Sequence, residues 1–133
     1  MPGPSADLIR GVPMFAELDD KSVAQLASDF MERRFAAGKE ITSEGEGGLN
    51  FFIVQEGEAD VLIGGEKVGT LGPGAAFGEV ALVDRSVRTA TVAARTDMIT
   101  YAMPSWSFRS FVATRPDVTW KLLELLAERL RNR

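Results

Sequence analysis

The stretch LGPGAAFGEVALVDRSVRTATV occupies residues 71–92 and combines closely spaced glycines with two charged residues in apolar surroundings. Its glycines allow sharp turns and a close approach of the backbone to a ligand: Gly72, Gly74 and Gly78. Glu79 lies within an apolar run, and Arg88 begins a run typical of a strand. Two such charges either pair with each other in a half-buried site or bind a ligand that carries the missing charge and hydroxyls.

The segment FGEVAL, residues 77–82, is too short for a barrel strand and is better interpreted as one turn of helix. A helix start directs free N–H groups at an anion, as phosphate sites commonly do. The guanidinium of Arg88 can donate two parallel hydrogen bonds to phosphate oxygens. The carboxylate of Glu79 can accept a hydrogen bond from the hydroxyl of a sugar. An anion and a hydroxyl on one small ligand indicate a nucleotide.

The residues around this stretch predict many short strands. Eleven of the thirteen glycines fall between Gly38 and Gly78, as expected for tight turns between strands. The strand-like runs are KEIT, NFFIVQ, ADVLI, KVGTL, RTATVAA and DMITYAM. About seven or eight strands favour a mainly β fold with flanking helices, an antiparallel β-roll or jelly-roll barrel, because closure removes exposed edges.

Both ends of the chain predict helices. Asp19 and Asp20 are N-cap candidates for a helix near the N-terminus, and its core-facing residues follow helical spacing: Leu18, Val23, Leu26, Ala27 and Phe30. Two more helices follow Pro104, separated at Pro116, and Asp117 is the expected cap of the second. That last helix has two apolar stripes: Val118, Leu122 and Leu125, then Trp120, Leu123, Ala127 and Leu130. We expect one stripe to cover the barrel and the other to meet a partner or ligand.

The chain has 133 residues, 45% of them hydrophobic, which is the size and composition of one ordinary domain. We therefore expect a single domain over 1–133. Its parts are an N-terminal helical segment at 1–30, a β-roll at 31–103 and C-terminal helices at 104–133.

Cysteine and histidine are both absent, which excludes disulfides, imidazole bases and most zinc or iron sites. The carboxylate pairs Asp19–Asp20 and Glu44–Glu46 are explained by helix capping and solvation. We therefore expect neither an enzyme nor a bound metal or cofactor.

The net charge of -4 argues against contact with nucleic acid or anionic lipid. No apolar stretch approaches the roughly 20 residues of a membrane span. A cytoplasmic location is expected.

The motif FGEVAL followed by VRTATV resembles the phosphate-binding cassette of the cyclic nucleotide-binding domain family, whose pattern is F-G-E-x-A-L, a variable stretch, then R-x-A-x-V. The resemblance extends outward, since IRGVPMFAELDDKSVAQLA is similar to the N-terminal helical segment of the family and NFFIVQEGEADV to its central hairpin. The last two helices are placed like its hinge and lid helices. The cassette would span 74–93.

The resemblance implies a role for each matching residue. Glu79 would receive the ribose 2′-hydroxyl, Gly78 and the backbone of Ala81 would border the phosphate, and Arg88 would pair with its negative charge. Thr89 would offer a hydroxyl either to the phosphate or to a guanine amino group, which leaves the choice between cAMP and cGMP open. The full set of expected ligand-binding residues is Phe77, Gly78, Glu79, Val80, Ala81, Leu82, Arg88, Thr89 and Ala90.

The family takes the residue that covers the base from its final helix. The candidates here are Trp120, Leu123, Leu126 and Arg129, and spacing does not choose among them. Aromatic residues at helical spacing usually lie in the core, so core packing is the expectation for Trp106 and Trp120, with stacking on the base as the alternative.

The resulting hypothesis is a regulatory module that binds a 3′,5′-cyclic nucleotide, cAMP or cGMP, and responds by moving its C-terminal helix. Its expected partners are the nucleotide and either a second copy of the chain or a downstream effector protein. The alternative is a scaffold or dimerisation module that keeps the fold without the ligand. A catalytic barrel is disfavoured by the lack of histidine.

Overall fold

The computed structural model describes residues 3–42, 50–78 and 90–131. The N-terminal helices are α1 (Ala6–Arg10), a 3-10 helix (Pro13–Phe15) and α2 (Asp20–Ala27). The strands are β1 (Met31–Phe35), β2 (Glu40–Thr42), β3 (Asn50–Glu56), β4 (Ala59–Ile63), β5 (Glu66–Leu71), β6 (Ala76–Phe77), β7 (Thr91–Ala94) and β8 (Met98–Pro104). The C-terminal helices are α3 (Ser105–Ala113) and α4 (Pro116–Arg131). None of the helices described is long and apolar enough to cross a membrane.

Side-chain caps set the starts of the N-terminal helices. Ser5 accepts a hydrogen bond from the backbone N–H of Leu8 at 3.1 Å, which caps α1. Asp19 accepts the N–H of Ser22 at 2.8 Å and caps α2, so the predicted role of Asp19 is confirmed. Asp20 is the first residue of α2 instead, and its carboxylate lies 2.7 Å from Nη2 of Arg10 in α1.

The strands form two antiparallel sheets of four strands each, and the predicted roll with flanking helices is confirmed. We call them the inner sheet, in the order β1-β8-β3-β6, and the outer sheet, in the order β2-β7-β4-β5. The inner sheet lies between the helices and the outer sheet, so its central strands are covered on both faces.

Strand β3 shows this two-sided burial residue by residue. Phe51 and Ile53 belong to the helix-side core with residues of the N-terminal and C-terminal helices, whereas Phe52 and Val54 belong to the core between the sheets. Successive side chains of a strand point to opposite faces, so the uninterrupted run NFFIVQ contributes to two cores. Phe51 stacks on Phe108 of α3 with ring centroids 5.1 Å apart and meets Phe15 edge-on at 6.0 Å. These contacts join the helices to the sheet.

The sequence did not predict β1 and β6 as strands. Residues of β1 are largely exposed at the edge of the inner sheet, and three of its five side chains are charged, so no apolar alternation marks it. The short strand β6 contains Phe77, so the predicted helical turn is wrong for Phe77. Residues 79–82 of that predicted turn lie outside the described residues.

The last helix differs from prediction at its first residues. Because α4 begins at Pro116, Asp117 lies within the first turn and does not occupy the cap position. Proline is favoured there, since its missing N–H would have no partner in the helix. The stripe of Val118, Leu122 and Leu125 packs on the helix-side core as predicted.

Candidate functional site

The structure describes three of the nine expected ligand-binding residues: Phe77, Gly78 and Ala90. The other six, Glu79, Val80, Ala81, Leu82, Arg88 and Thr89, lie outside the described residues. What the structure provides is the framework at both ends of the expected cassette and the helix opposite it.

The first end of the cassette is fixed to the inner sheet. Phe77 is buried and stacks on its cross-strand partner Phe52, with centroids 4.9 Å apart and ring planes at 14°. Gly78 follows with φ +104°, a left-handed conformation that residues with a Cβ rarely adopt. The chain therefore turns sharply immediately after its buried anchor.

The second end of the cassette is fixed to the outer sheet. The carbonyl of Ala90 accepts a hydrogen bond from Oγ1 of the buried Thr42 at 3.4 Å. Thr91 then begins β7, opposite Leu62 of β4. The described residues before the gap therefore belong to the inner sheet and those after it lead into the outer sheet.

The turn at the start of the cassette is held by backbone hydrogen bonds to β3. The N–H of Gly74 donates to the carbonyl of Val54 at 2.8 Å, and the N–H of Val54 donates to the carbonyl of Ala75 at 2.9 Å. Gly74 has φ +89°, so this turn again depends on glycine.

A cavity of about 520 Å³ lies between this turn and α4. Its walls are residues 12–14 beside the 3-10 helix, residues 74–76 at the start of the cassette, and one side of α4. The α4 residues are Leu122, Leu125, Leu126, Glu128 and Arg129. The structure thus places part of the expected lid helix opposite the start of the expected cassette.

The lid candidates separate into two groups. Leu126 and Arg129 line the cavity, whereas Trp120 and Leu123 are not among its lining residues and are 67% and 49% exposed. Trp120 lies two residues after the buried Val118 and two before the buried Leu122. Two residues are a rotation of about 200°, so Trp120 lies on the opposite side of the helix. The structure therefore favours Leu126 and Arg129 over Trp120 and Leu123 as residues able to face the cassette.

The expected core packing of the two tryptophans is wrong. Trp106 is 71% exposed near the start of α3, whose buried side presents Phe108 and Phe111. Helical periodicity showed that α4 has two apolar stripes, but it does not show which stripe the rest of the protein covers. The stripe that contains Trp120 remains exposed in this chain, with Leu130 67% exposed.

Contacts that sequence reasoning missed hold the first half of α4 in place. Oγ1 of Thr119 donates to the carbonyl of Val112 in α3 at 2.7 Å. Lys121 Nζ lies 3.6 Å from Glu17 Oε2, in the chain that follows the 3-10 helix. The ion pair joins residues far apart in sequence, and no local pattern in the sequence indicates either contact.

Arg115 connects the turn between α3 and α4 to the N-terminal helices. Its Nη2 donates to Oε1 of Gln25 in α2 at 3.1 Å, and its guanidinium lies 5.0 Å from the centroid of the Phe111 ring. A cation over an aromatic face is attracted to the ring. The start of α4 is therefore anchored from two directions.

The described residues hold no group of three or more acidic side chains placed to bind a metal ion. Among the carboxylates in the described part of the chain, Asp19 alone has a clearly shifted pKa, because hydrogen bonds from the Ser22 side chain and backbone N–H lower it below its ordinary value. That residue caps α2 and is not among the residues that line the cavity.

Two solved structures are similar over most of the chain. The N-terminal domain of a transcriptional regulator from Streptomyces coelicolor A3(2) is 31% identical, with a TM-score of 0.79 over 95% of this chain and 94% of that chain. The catabolite activator protein of Thermus thermophilus is 31% identical, with a TM-score of 0.80 over 90% of this chain and 59% of that chain.

Two curated relatives are cAMP-dependent protein kinase regulatory subunits. The protein of Eremothecium gossypii is 36% identical over 96 residues, which are 72% of this chain and 21% of the relative. The protein of Yarrowia lipolytica is 30% identical over 99 residues, which are 74% of this chain and 26% of the relative. The chain therefore spans about a fifth to a quarter of the length of these relatives.

The family model described as "Cyclic nucleotide-binding domain" matches residues 32–115, which include the whole expected cassette. Domains of this family are non-catalytic ligand-binding modules, and this confirms the expectation that the domain is not an enzyme. On this match, the chain belongs to the cyclic nucleotide-binding domain family.

Proposed function

We propose that this domain binds a 3′,5′-cyclic nucleotide through residues 77–82 and 88–90. The observation that carries the proposal is the sequence FGEVAL with RTATV inside the region matched by the family model. In this proposal Glu79 accepts the ribose 2′-hydroxyl, Arg88 neutralises the cyclic phosphate, and Gly78 gives the ligand close access to the backbone. The fixed positions of Phe77 and Ala90 support it, because a ligand site gains affinity when its ends are already ordered.

The proposed ligand is cAMP, with cGMP as its competitor. Both curated relatives are named as cAMP-dependent, which supports adenine. Thr89 supplies a hydroxyl that could also meet the amino group of a guanine, so both nucleotides belong in the first experiment.

The proposed response is a movement of the second half of α4 toward the cassette. Val118 and Leu122 are buried in the first half, whereas Leu125 and Leu126 are only partly buried beside the cavity. Closing the cavity would remove apolar surface from water at about 25 cal/mol per Å². A ligand can drive this movement only if it binds the closed arrangement more tightly than the open one.

We further propose that the exposed stripe on α4 transmits the change to a partner. Its large residues are Trp120, Leu123 and Leu130, and their exposure together fits a contact with an effector protein or with a second copy of this chain. The same stripe favours the second candidate function, a dimerisation module that acts without a nucleotide. Ligand binding distinguishes the two functions.

Isothermal titration calorimetry with cAMP, cGMP and 5′-AMP tests the binding proposal. Saturable binding of a cyclic nucleotide is expected, with much weaker binding of 5′-AMP, whose phosphate is dianionic and not closed into a ring. If neither cyclic nucleotide binds at millimolar concentration, the dimerisation module is the better account.

Hydrogen exchange tests the movement. Backbone amides from Leu123 to Leu130 should change protection when the nucleotide is added, whereas those of the buried strand β8 should not. A response confined to residues 71–92 would contradict the proposed movement of α4.

A further inference from the structure

The cavity between α4 and the turn at 74–76 has the features of a ligand site in its own right. Its volume of about 520 Å³ lies within the roughly 300–1,000 Å³ of small-molecule pockets. It lies on the helix side of the inner sheet, since Ala76 and Leu126 pack against the helix-side core. Phe77, the buried start of the cassette, packs in the other core, between the sheets.

More of the lining of this cavity is apolar than polar. Val12 and Met14 form one wall and the three leucines of α4 form another. In the turn, the N–H groups of Gly74 and Ala75 and the carbonyl of Ala75 already take part in hydrogen bonds. A ligand here therefore gains affinity mainly by burying apolar surface.

The charges at the cavity do not select a charged ligand. Glu128 and Arg129 are adjacent on α4, both line the cavity, and their charges are opposite. An ionic head group in the cavity would meet one favourable and one unfavourable charge. The lining is therefore best matched by an uncharged molecule with an apolar body.

We propose that this cavity is a second binding site, which takes a small, uncharged, mainly apolar molecule such as an alkyl chain with a hydroxyl head. Such a molecule occupies the space into which α4 would move, so its binding opposes closure of the helix and weakens nucleotide binding. We call the binding of the apolar molecule the binding half of the proposal and its effect on the nucleotide the regulatory half. The regulatory half rests on the proposed function, whereas the binding half does not. Linkage makes the effect reciprocal, so the nucleotide should weaken binding of the apolar molecule by the same factor.

The experiment uses 1-octanol as the probe and follows the methyl groups of Leu122, Leu125 and Leu126 by NMR. Saturable shifts and intermolecular NOEs to these methyls are expected with 1-octanol. Octanoate and octylammonium, which carry the same chain with opposite charges, should bind at least about tenfold more weakly.

Two variants that make the same change, leucine to tryptophan, at different places on α4 test where 1-octanol binds. Leu126→Trp fills the cavity and should weaken 1-octanol binding by about tenfold or more. Leu130→Trp adds the same group to the exposed stripe and should leave it unchanged. If Leu126→Trp fails to fold, Ala76→Val fills the opposite wall and should also weaken binding. The binding half is overturned if 1-octanol gives no saturable shift, or if cavity-filling variants bind it as the wild type does.

The regulatory half is measured separately, by titrating cAMP into the wild type with and without saturating 1-octanol. A rise in the apparent Kd for cAMP supports it, and an unchanged Kd overturns it. If cAMP does not bind at all while 1-octanol does, the proposed function fails and the second site stands.

Discussion

Phe77 stacks on Phe52 with ring planes at 14° and centroids 4.9 Å apart, at the point where the inner sheet ends and the expected cassette begins. Both rings are buried in the core between the sheets. The pair therefore joins the first motif residue of the expected cassette to the framework of the roll.

Replacing Phe77 with alanine should lower the free energy of unfolding by roughly 3–5 kcal/mol, because it removes a buried aromatic ring and leaves a cavity. Urea denaturation followed by circular dichroism measures the loss. Val68→Ala on β5, where the side chain is 59% exposed, is the control and should change stability by less than about 0.5 kcal/mol. Similar values for the two variants would show that the stacked pair contributes little.

Arg88→Lys should weaken cyclic nucleotide binding by roughly 1.5–3 kcal/mol while leaving the unfolding midpoint nearly unchanged. Lysine keeps the positive charge but lacks the planar fork that matches two phosphate oxygens. Calorimetry of both proteins with cAMP gives the difference. Equal affinity would reject the phosphate role of Arg88.

Glu79→Gln should lose the preference for cAMP over 2′-deoxy-cAMP, because the carboxylate is proposed to contact the 2′-hydroxyl. The measurement is the ratio of the two dissociation constants in wild type and variant. A wild type that already ignores the 2′-hydroxyl would assign Glu79 a different role.

Leu122→Ala should destabilise the domain by roughly 2–5 kcal/mol, far more than Lys121→Ala. Leu122 is buried in the helix-side core, whereas the Lys121–Glu17 pair is solvent-exposed, and exposed pairs contribute about 0–1 kcal/mol. Thermal unfolding of both variants decides which contact anchors α4. A larger effect of Lys121→Ala would make the ion pair the anchor.

Acid should weaken the cap of α2 at Asp19. Its pKa is lower in the folded chain than in the unfolded chain, so its ionised form adds stability above the unfolded pKa of about 3.9, and this contribution is lost as the pH falls through the lower folded pKa. Asp19→Asn should keep the cap and lose this pH dependence, which unfolding curves between pH 2 and 5 would detect. A variant with the same pH dependence as wild type would contradict the assignment.

Local signals allowed the sequence to predict much of the fold. The cap at Asp19 is a hydrogen bond to a residue three positions away, and the turns between strands need glycine at single positions. Both features are therefore visible as local patterns in the sequence. Strand β1 left none, because the edge position of Arg33 and Arg34 permits charged side chains.

The candidate site was predictable to a smaller extent. The motif named the residues of the cassette, but which side of α4 faces it depends on packing between residues distant in sequence. Periodicity could therefore not separate Leu126, which lines the cavity, from Trp120, which does not. The pairing of Arg115 with Gln25 was equally inaccessible, since neither residue has a distinctive local pattern.

The two-sided burial of β3 has a consequence for protein engineering. Phe51 and Ile53 pack in the helix-side core, while Phe52 and Val54 pack in the core between the sheets. Odd and even positions of one strand can therefore be redesigned separately. A foreign set of helices could be grafted onto this roll by changing the odd positions of β3 and their neighbour Met103, with the core between the sheets left as it is.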